Sequence, residues 1–132
     1  MQAIIASGPV IIKNKKVLLI KDKKDDFYKF PGGTVKQNEA LEKACIRETK
    51  EEIGVDIKIK KPLVTMLLWK RPGKKQKIAV ILVHYLAKIK NEKIIRKGKN
   101  IKEIRWIKLN EIKKFKVAPN VLYVLKYHKF IK

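Results

Sequence analysis

Glu48, Glu51 and Glu52 stand at positions i, i+3 and i+4 of one short stretch, the spacing that brings side chains onto one edge of a helix. Three carboxylates that close repel one another unless a positive group sits among them. Hard divalent cations take such oxygen ligands, and magnesium commonly combines a few carboxylates with water and substrate phosphates. The chemistry open to the trio is therefore metal-assisted work on a phosphate-bearing substrate. Its setting is unusual, because the 132-residue chain has 34 Lys and Arg against 12 Asp and Glu, a formal net charge of +22. Five of its eight glutamates nonetheless fall between Glu39 and Glu52.

On a helical wheel of about 100° per residue with Ala40 at zero, Ala44, Leu41 and Cys45 mark an inward arc from about 40° to about 140°. Glu48 at about 80° and Glu52 at about 120° lie inside it, with Glu51 on its edge at about 20°. Glu39, Glu42, Lys43 and Lys50 fall on the far side. Arg47, at about −20°, is placed to pair with one of the acids and hold its geometry. Two readings stay open on the residues alone. Either the trio binds a cation, or it is an exposed acidic helix end paired with Arg47 and Lys50, an arrangement that the helix dipole opposes.

The elements that must position these groups follow from the flanking sequence. Asn38 suits an N-cap, with Glu39 and Glu42 in the first turn, and Gly54 suits the C-cap. Ahead of the helix, Phe27 to Phe30 reads as a short aromatic strand running into Pro31-Gly32-Gly33, a turn that lets backbone come close to a ligand. Ala3 to Ile12 and Lys16 to Lys21 read as two strands joined at Lys13-Asn14-Lys15. Val55, Ile57 and Ile59 alternate with polar residues in a half-exposed strand, and Pro62 marks a break before a strand from Leu63 to Trp69. Arg71-Pro72-Gly73-Lys74 reads as a type II turn. The apolar run Ile78 to Leu86 fits a central strand covered on both faces. Lys88 to Lys102 reads as a basic connection, and Glu103 to Leu109 as a strand with Ile104, Trp106 and Leu109 on one face. Asn110 then caps a short helix, and Pro119 opens a last one with Val121, Leu122, Val124, Leu125 and His128 at helical spacing. The order of elements predicts a mixed sheet with helices packed on it.

The remaining composition bounds the function. A chain of 132 residues, 45% hydrophobic and 35% charged, predicts one globular domain over residues 1–132. No apolar run is long enough to cross a membrane and no signal segment opens the chain, so a cytoplasmic protein without a membrane partner is expected. Cys45 stands alone, which excludes an internal disulfide and a cysteine-cluster zinc site. His84 and His128 have no partners at metal spacing and read as packing residues. The lysines suit a polyanionic partner, including nucleic acid, or simply a solvated surface.

The stretch from Gly33 to Val55 resembles the Nudix box. Its fixed positions are filled by Gly33, Glu39, Arg47, Glu48, Glu51, Glu52, Gly54 and Val55 at matching spacings, and only Thr49 departs, where an aliphatic residue is usual. The Phe30-Pro-Gly-Gly33 lead-in and the Glu103 to Trp106 strand look like further parts of a MutT-like Nudix hydrolase domain. The resemblance implies an α/β fold, a Nudix-type α/β/α sandwich with a mixed β-sheet. It also implies hydrolysis of a nucleoside diphosphate linked to another moiety, such as a nucleoside triphosphate, oxidised ones included, or ADP-ribose. Glu48, Glu51, Glu52 and the Gly33 carbonyl would hold Mg2+, with Mn2+ an alternative ion, while Arg47 and Glu39 would hold loop and helix together. Glu51, Glu48 or Glu103 would act in catalysis, and Lys21, Lys29, Lys36 and Arg105 would balance phosphate charge. Trp69, Phe30 or Trp106 would stack on a base or fill the core. The expected partner is a small nucleotide or a nucleoside diphosphate derivative met by a monomer or homodimer. The competing reading is a domain that binds RNA or another polyanion through its basic surface, with any hydrolysis directed at RNA 5′ ends.

Overall fold

A computed structural model describes residues 2–70 and 78–132. The turn expected at Arg71 to Lys74 lies outside the described residues. Ile, Val and Leu build β1 (Ala3–Lys13) and β2 (Lys16–Asp22), and the chain reverses between them at Asn14 and Lys15, with φ of 52° and 62°. Two successive left-handed residues give a tight turn whose twist matches that of the strands it joins.

β1 has partners on both edges. It runs parallel to β6 (Ile78–Ile89) on one side. On the other it pairs with β2 through Ile12 and Lys13, and with the two-residue β3 (Gly33–Thr34) through Ala6 and Ser7. The far edge of β6 carries β4 (Ile57–Pro62) and β5 (Met66–Lys70), and β7 (Ile101–Lys108) pairs with β2. The sheet is seven-stranded and mixed, in the order β4-β6-β1-β2-β7, with the expected Ile78 strand near its centre.

Alternation along the strands divides the core in two. Val17 and Leu19 join Val121, Val124 and Leu125 of helix α2 (Pro119–Tyr127) on one face. Leu18 and Ile20 join Cys45 and Ile53 of helix α1 (Leu41–Ile53) on the other. The layers are helix, sheet, helix. Pro119 occupies the first turn of α2, where its missing N–H costs no hydrogen bond.

Several expected boundaries move. Helix α1 begins at Leu41, not Glu39, with Ala40 at its cap and no side-chain capping bond. Asn38 takes a φ of 63° in the turn before it, and the Glu39 N–H donates to the Lys36 carbonyl at 3.1 Å. Phe27 to Phe30 is not a strand: it makes isolated bridges, Lys29 with Ile20 and Tyr28 with Val117, to two different segments. β5 starts at Met66 because the Leu63 and Val64 N–H groups are used elsewhere, on the His84 carbonyl at 2.9 Å and on His128 Nε2 at 2.9 Å. After β7 the chain makes a 3-10 turn over Leu109–Lys114, entered at Lys108 without a side-chain cap, so Asn110 lies inside it. Leu109 shares the core face of Ile107, whereas Ile104 and Trp106 face the α1 side.

The end of α1 is closed twice. Gly54, at φ 76°, donates its N–H to the Lys50 carbonyl at 3.0 Å, as its C-cap position predicts. The connection after β6 then folds across the same end, where Arg96 N–H reaches the Ile53 carbonyl at 3.0 Å and Gly98 N–H reaches the Glu52 carbonyl at 2.8 Å. Carbonyls that a helix terminus leaves without partners are thereby satisfied. A Cβ on Gly98 would strike the Glu51 carbonyl oxygen, so this approach requires glycine.

Candidate functional site

The inward face of α1 is built from Ala44, Cys45, Thr49 and Ile53, all buried. Thr49, the departure from the box pattern, donates its hydroxyl to the Cys45 carbonyl at 2.7 Å and so fills a packing position without an unsatisfied polar atom. Ser7 of β1 fixes the start of the helix by donating to the Leu41 carbonyl at 2.7 Å. With the helix pinned at both ends, Glu48 and Glu52 turn toward the Pro31-Gly32-Gly33 turn, and Glu51 stays more open, its side chain 55% exposed against 17% for Glu48.

Arg47 organises the near side of this group. Its Nε donates to Glu39 Oε2 at 2.7 Å and its Nη2 to Glu39 Oε1 at 3.0 Å, a forked pair that carries geometric specificity. Nη1 reaches Glu48 Oε1 at 3.0 Å and Glu51 Oε1 at 3.1 Å, and Nη2 also reaches the Thr34 carbonyl at 3.1 Å. One guanidinium thus ties the approach loop, β3 and two of the three acids together. The Arg47 hydrogen bonds, followed by the Lys36 N–H, hold the Glu39 carboxyl at about 2. The Glu39 partnership, ahead of Glu48 and Glu51, raises the Arg47 pKa further and keeps it cationic.

Glu52 is treated differently. Its Oε1 accepts the Gly32 N–H at 2.6 Å, and no basic side chain among the described residues forms an ion pair with it. Burial pushes its pKa up to about 8, against the lowering effects of the Gly32 N–H and the Lys29 charge, while Glu48 and Asp22 push in the same direction as burial. On the other side of the turn, a Cβ on Gly33 would collide with the Glu48 carboxylate, so glycine is what lets the β3 backbone meet that acid. Gly32, at φ 133°, and Gly8 make a second close approach, where a Cβ on Gly8 would strike the Pro31 carbonyl oxygen.

These residues fit a hard divalent cation. The donors gathered there are carboxylate oxygens, with neither sulfur nor imidazole among them. Glu52 is a half-buried carboxyl with no ion-pair partner among the described residues, and a cation would return it to its anionic form. Among the described residues no three His, Cys, Asp or Glu side chains already converge around one point. Glu48 and Glu51 are instead drawn to Arg47, and Glu52 to Gly32.

Asp22 was missed by the sequence reading, although the alternation Leu18, Ile20, Asp22 puts an acid where the next apolar residue of the α1 face belongs. It is buried and accepts from Lys29 Nζ at 2.6 Å, and both charges act on Glu52. Lys29 therefore lies with the acids. Lys21, Arg105 and Glu103 do not. They share the α2 side of the sheet, where Glu103 accepts from the Tyr28 hydroxyl at 2.8 Å, Arg105 donates to the same oxygen at 3.1 Å, and Lys21 Nζ lies 4.5 Å from the Tyr28 ring centre. The register Lys21 to Glu103 and Leu19 to Arg105 puts all three on the Leu19 face, opposite α1. Lys36 contributes its N–H to Glu39 Oε1 at 3.0 Å, with its side chain exposed.

A cleft of about 400 Å³ borders the acids through Lys29, Gly32 and Gly33. It runs between that turn, the Leu68, Val80 and Leu82 face of the sheet, and the start of α2. Its floor holds a buried polar pair: His84 donates from Nδ1 to the Val64 carbonyl at 2.8 Å and accepts at Nε2 from Asn120 Nδ2 at 2.9 Å. Burial lowers the His84 pKa, which keeps the ring neutral for that pair. Phe30 is buried at the wall of the cleft with its ring against His84, and Trp106 packs, partly buried, against the α1-side core. Trp69 is 54% exposed on β5.

Comparison with known proteins matches this architecture. The NUDIX domain family model covers residues 4–127. An ADP-ribose pyrophosphatase of Methanocaldococcus jannaschii is 31% identical over 113 residues, 83% of this chain and 64% of that protein. An 8-oxo-dGTP diphosphatase of Proteus vulgaris is 39% identical over 57 residues, 40% of this chain and 51% of that protein. The chain thus spans less than two thirds of the length of either curated relative. The crystal structure of a MutT NUDIX hydrolase from Burkholderia pseudomallei superimposes with a TM-score of 0.78 at 20% identity, covering 96% of this chain and 98% of that one. At that identity the likeness is one of fold.

Proposed function

The chain belongs to the NUDIX domain family, and from that premise we propose a magnesium-dependent pyrophosphohydrolase that cleaves a nucleoside diphosphate linked to another moiety. The substrates that fit best are nucleoside triphosphates, oxidised ones included, and ADP-ribose. One observation carries the reading: Glu48 and Glu52 are turned from one helix onto the Gly32-Gly33 backbone at the rim of a cleft of nucleoside size. The named activities of the two curated relatives support both substrate groups.

In this reading Glu48, Glu51, Glu52 and the Gly33 carbonyl hold Mg2+, or Mn2+ in its place. Held there, such an ion would supply charge neutralisation for the pyrophosphate and activation of a water near neutral pH. Arg47 and Glu39 keep the acids in register with the turn. Lys29, on the cleft side of the acids, meets a phosphate oxygen. Glu51, the most open of the three acids, accepts the proton of the attacking water, with Glu48 beside it through the shared Arg47 Nη1. The nucleoside lies in the cleft against Leu68, Val80 and Leu82, with the His84–Asn120 pair at its polar end.

The test is to incubate the purified chain and magnesium with nucleoside triphosphates, 8-oxo-dGTP, ADP-ribose, NADH, and capped or triphosphorylated RNA, and to read the products by mass. Cleavage between phosphates of one of the small nucleotides is expected. A panel left whole overturns the reading.

A further inference from the structure

The larger concavity, of about 860 Å³, is not the one beside the acids. It lies where β1 turns into β2 and where β7 ends, and the segment after α2 completes its wall. Lys15, Lys16, Lys108, Lys113 and Lys132 line it over a floor of Leu109, Phe130 and Ile131, and no Asp or Glu is in that lining among the described residues. Lys16 and Lys108 are directly opposed across the β2–β7 ladder, and Lys13 opposes Lys16 on the other side. Like charges placed directly across strands repel. Glu92 answers Lys13 at 2.7 Å, but Lys16 and Lys108 have no carboxylate partner among the described residues.

Opposed lysines alone do not mark a site. Lys58 and Lys88 make the same kind of pair at the far edge of the sheet, where they line neither concavity. What distinguishes the groove is its volume, the apolar Leu109, Phe130 and Ile131 in its lining and a row of rings that leads into it. Tyr123 and Tyr127 lie one helical turn apart on α2, 6.1 Å between ring centres, and are 43% and 60% exposed. Tyr127 contacts His128 at 5.0 Å, and His128 contacts Phe130, on the groove floor, at 6.2 Å. The row follows α2, whose start lines the smaller cleft, and the segment after its end, at Phe130, Ile131 and Lys132, lines the groove.

A charged groove beside exposed aromatic rings has the chemistry of a single-stranded nucleic acid track, with lysines on the phosphates and rings under the bases. We propose that this groove and the Tyr123–Tyr127 ridge bind single-stranded nucleic acid at a site separate from the carboxylates. A membrane surface shares the charge requirement, but a planar array of headgroups cannot enter a concave groove, which favours a flexible strand. The binding site stands whether or not the small-nucleotide reading holds.

The test is fluorescence anisotropy of a labelled single-stranded RNA of about 12 nucleotides, in chelator to prevent hydrolysis, from about 50 to about 200 mM salt. Three variants are compared with the parent: Lys16→Gln/Lys108→Gln/Lys113→Gln in the groove, Lys58→Gln/Lys60→Gln/Lys88→Gln at the opposite edge, and Tyr127→Ala. The groove variant should lose about tenfold or more in affinity and reduce the salt slope by about 2, three contacts at about 0.7 each. The edge variant, which removes equal charge, should change affinity less than about threefold, and Tyr127→Ala should cost about fivefold or more. Equal losses from the two lysine variants would reduce the effect to overall charge and overturn the proposal. Equal affinity for a duplex overturns it too, as does lysine-dependent binding to phosphatidylserine vesicles without RNA binding. Circular dichroism checks each fold, and the exposed Tyr127 variant keeps the test sound if a lysine triple does not fold. Small-nucleotide hydrolysis by the groove variant should match the parent, so failure of the groove and failure of the hydrolase reading are told apart.

Discussion

Glu39 and Glu52 are the same side chain on the two sides of one short segment, and the fold handles them in opposite ways. Glu39 receives a forked guanidinium and a backbone N–H, and its carboxyl is held at about 2. Glu52 receives one backbone N–H inside a buried setting, and its carboxyl is pushed up to about 8. The first acid is completed by the protein itself, and it works as a brace. The second is held ready at a cost, since desolvation outweighs the Gly32 N–H and the Lys29 charge and disfavours the anion, and that cost makes sense where a cation completes the group.

The largest effect should come from the second acid. Glu52→Gln should lower Mg-dependent turnover by on the order of a thousandfold, because several kcal/mol of charge stabilisation would depend on the ion it is proposed to hold. In chelator its melting temperature should equal or exceed that of the parent, because the substitution removes a buried ionisable group. A clear loss of metal-free stability in the melt would make Glu52 a structural acid like Glu39 and dissolve the contrast.

Glu39→Gln should do the reverse. It leaves the proposed ligands in place but withdraws one arm of Arg47, so the magnesium concentration for half-maximal activity should rise by about tenfold, the scale of lost support behind a metal ligand. Its melting temperature should fall near neutral pH. The pH dependence has a definite sign. The folded pKa is depressed to about 2 from an ordinary 4.5, so the stability that Glu39 contributes is fully present above the ordinary value and is lost as pH falls toward about 2. Melting curves of parent and variant should therefore converge between those limits, and a constant gap across them would show that Glu39 acts through packing and not through its charge.

Lys29 should give a smaller effect. Lys29→Gln removes the cation beside Glu52 and the cleft, and is expected to raise KM about five- to tenfold with kcat changed less, as the loss of a phosphate contact does. A kcat loss as deep as that of Glu52→Gln would move Lys29 from binding to the chemical step.

The contrast was only partly legible in the sequence. The i, i+3, i+4 acids and Gly54 could be read because helical geometry and a left-handed C-cap act over a few residues, and the wheel put Glu48 and Glu52 inward with Glu51 at the edge. The helix start was misread because Asn38 has the side chain of a cap, whereas Glu39 is committed to Arg47, eight residues ahead. Asp22 carried a usable signal, an acid in phase with Leu18 and Ile20, but its partner Lys29 lies across a loop. The lysine groove was not legible, since in a chain this basic only the fold shows which lysines share a concavity. Strand order and the parallel pairing of β1 with β6 are long-range facts of the same kind.

The smallest effect is expected at Glu103, which the box resemblance offered as a catalytic base. Register puts it with Lys21 and Arg105 on the α2 side of the sheet, and its carboxylate already accepts the Tyr28 hydroxyl at 2.8 Å and lies 3.6 Å from Arg105. An acid already engaged by Tyr28 and Arg105 in this way is a poor candidate to take a proton from water beside Glu51. Glu103→Gln keeps an acceptor for Tyr28, so the fold should hold and kcat should stay within about threefold of the parent, whereas loss of a general base costs about a hundredfold or more. The pH–rate profile separates the roles further. If Glu103 is not the base, the acidic limb of kcat/KM should remain where it is in the parent. Disappearance of that limb in Glu103→Gln, together with a hundredfold loss, would mean that Glu103 reaches the substrate from the α2 side, and the division between a bracing acid and a waiting one would have to include a third.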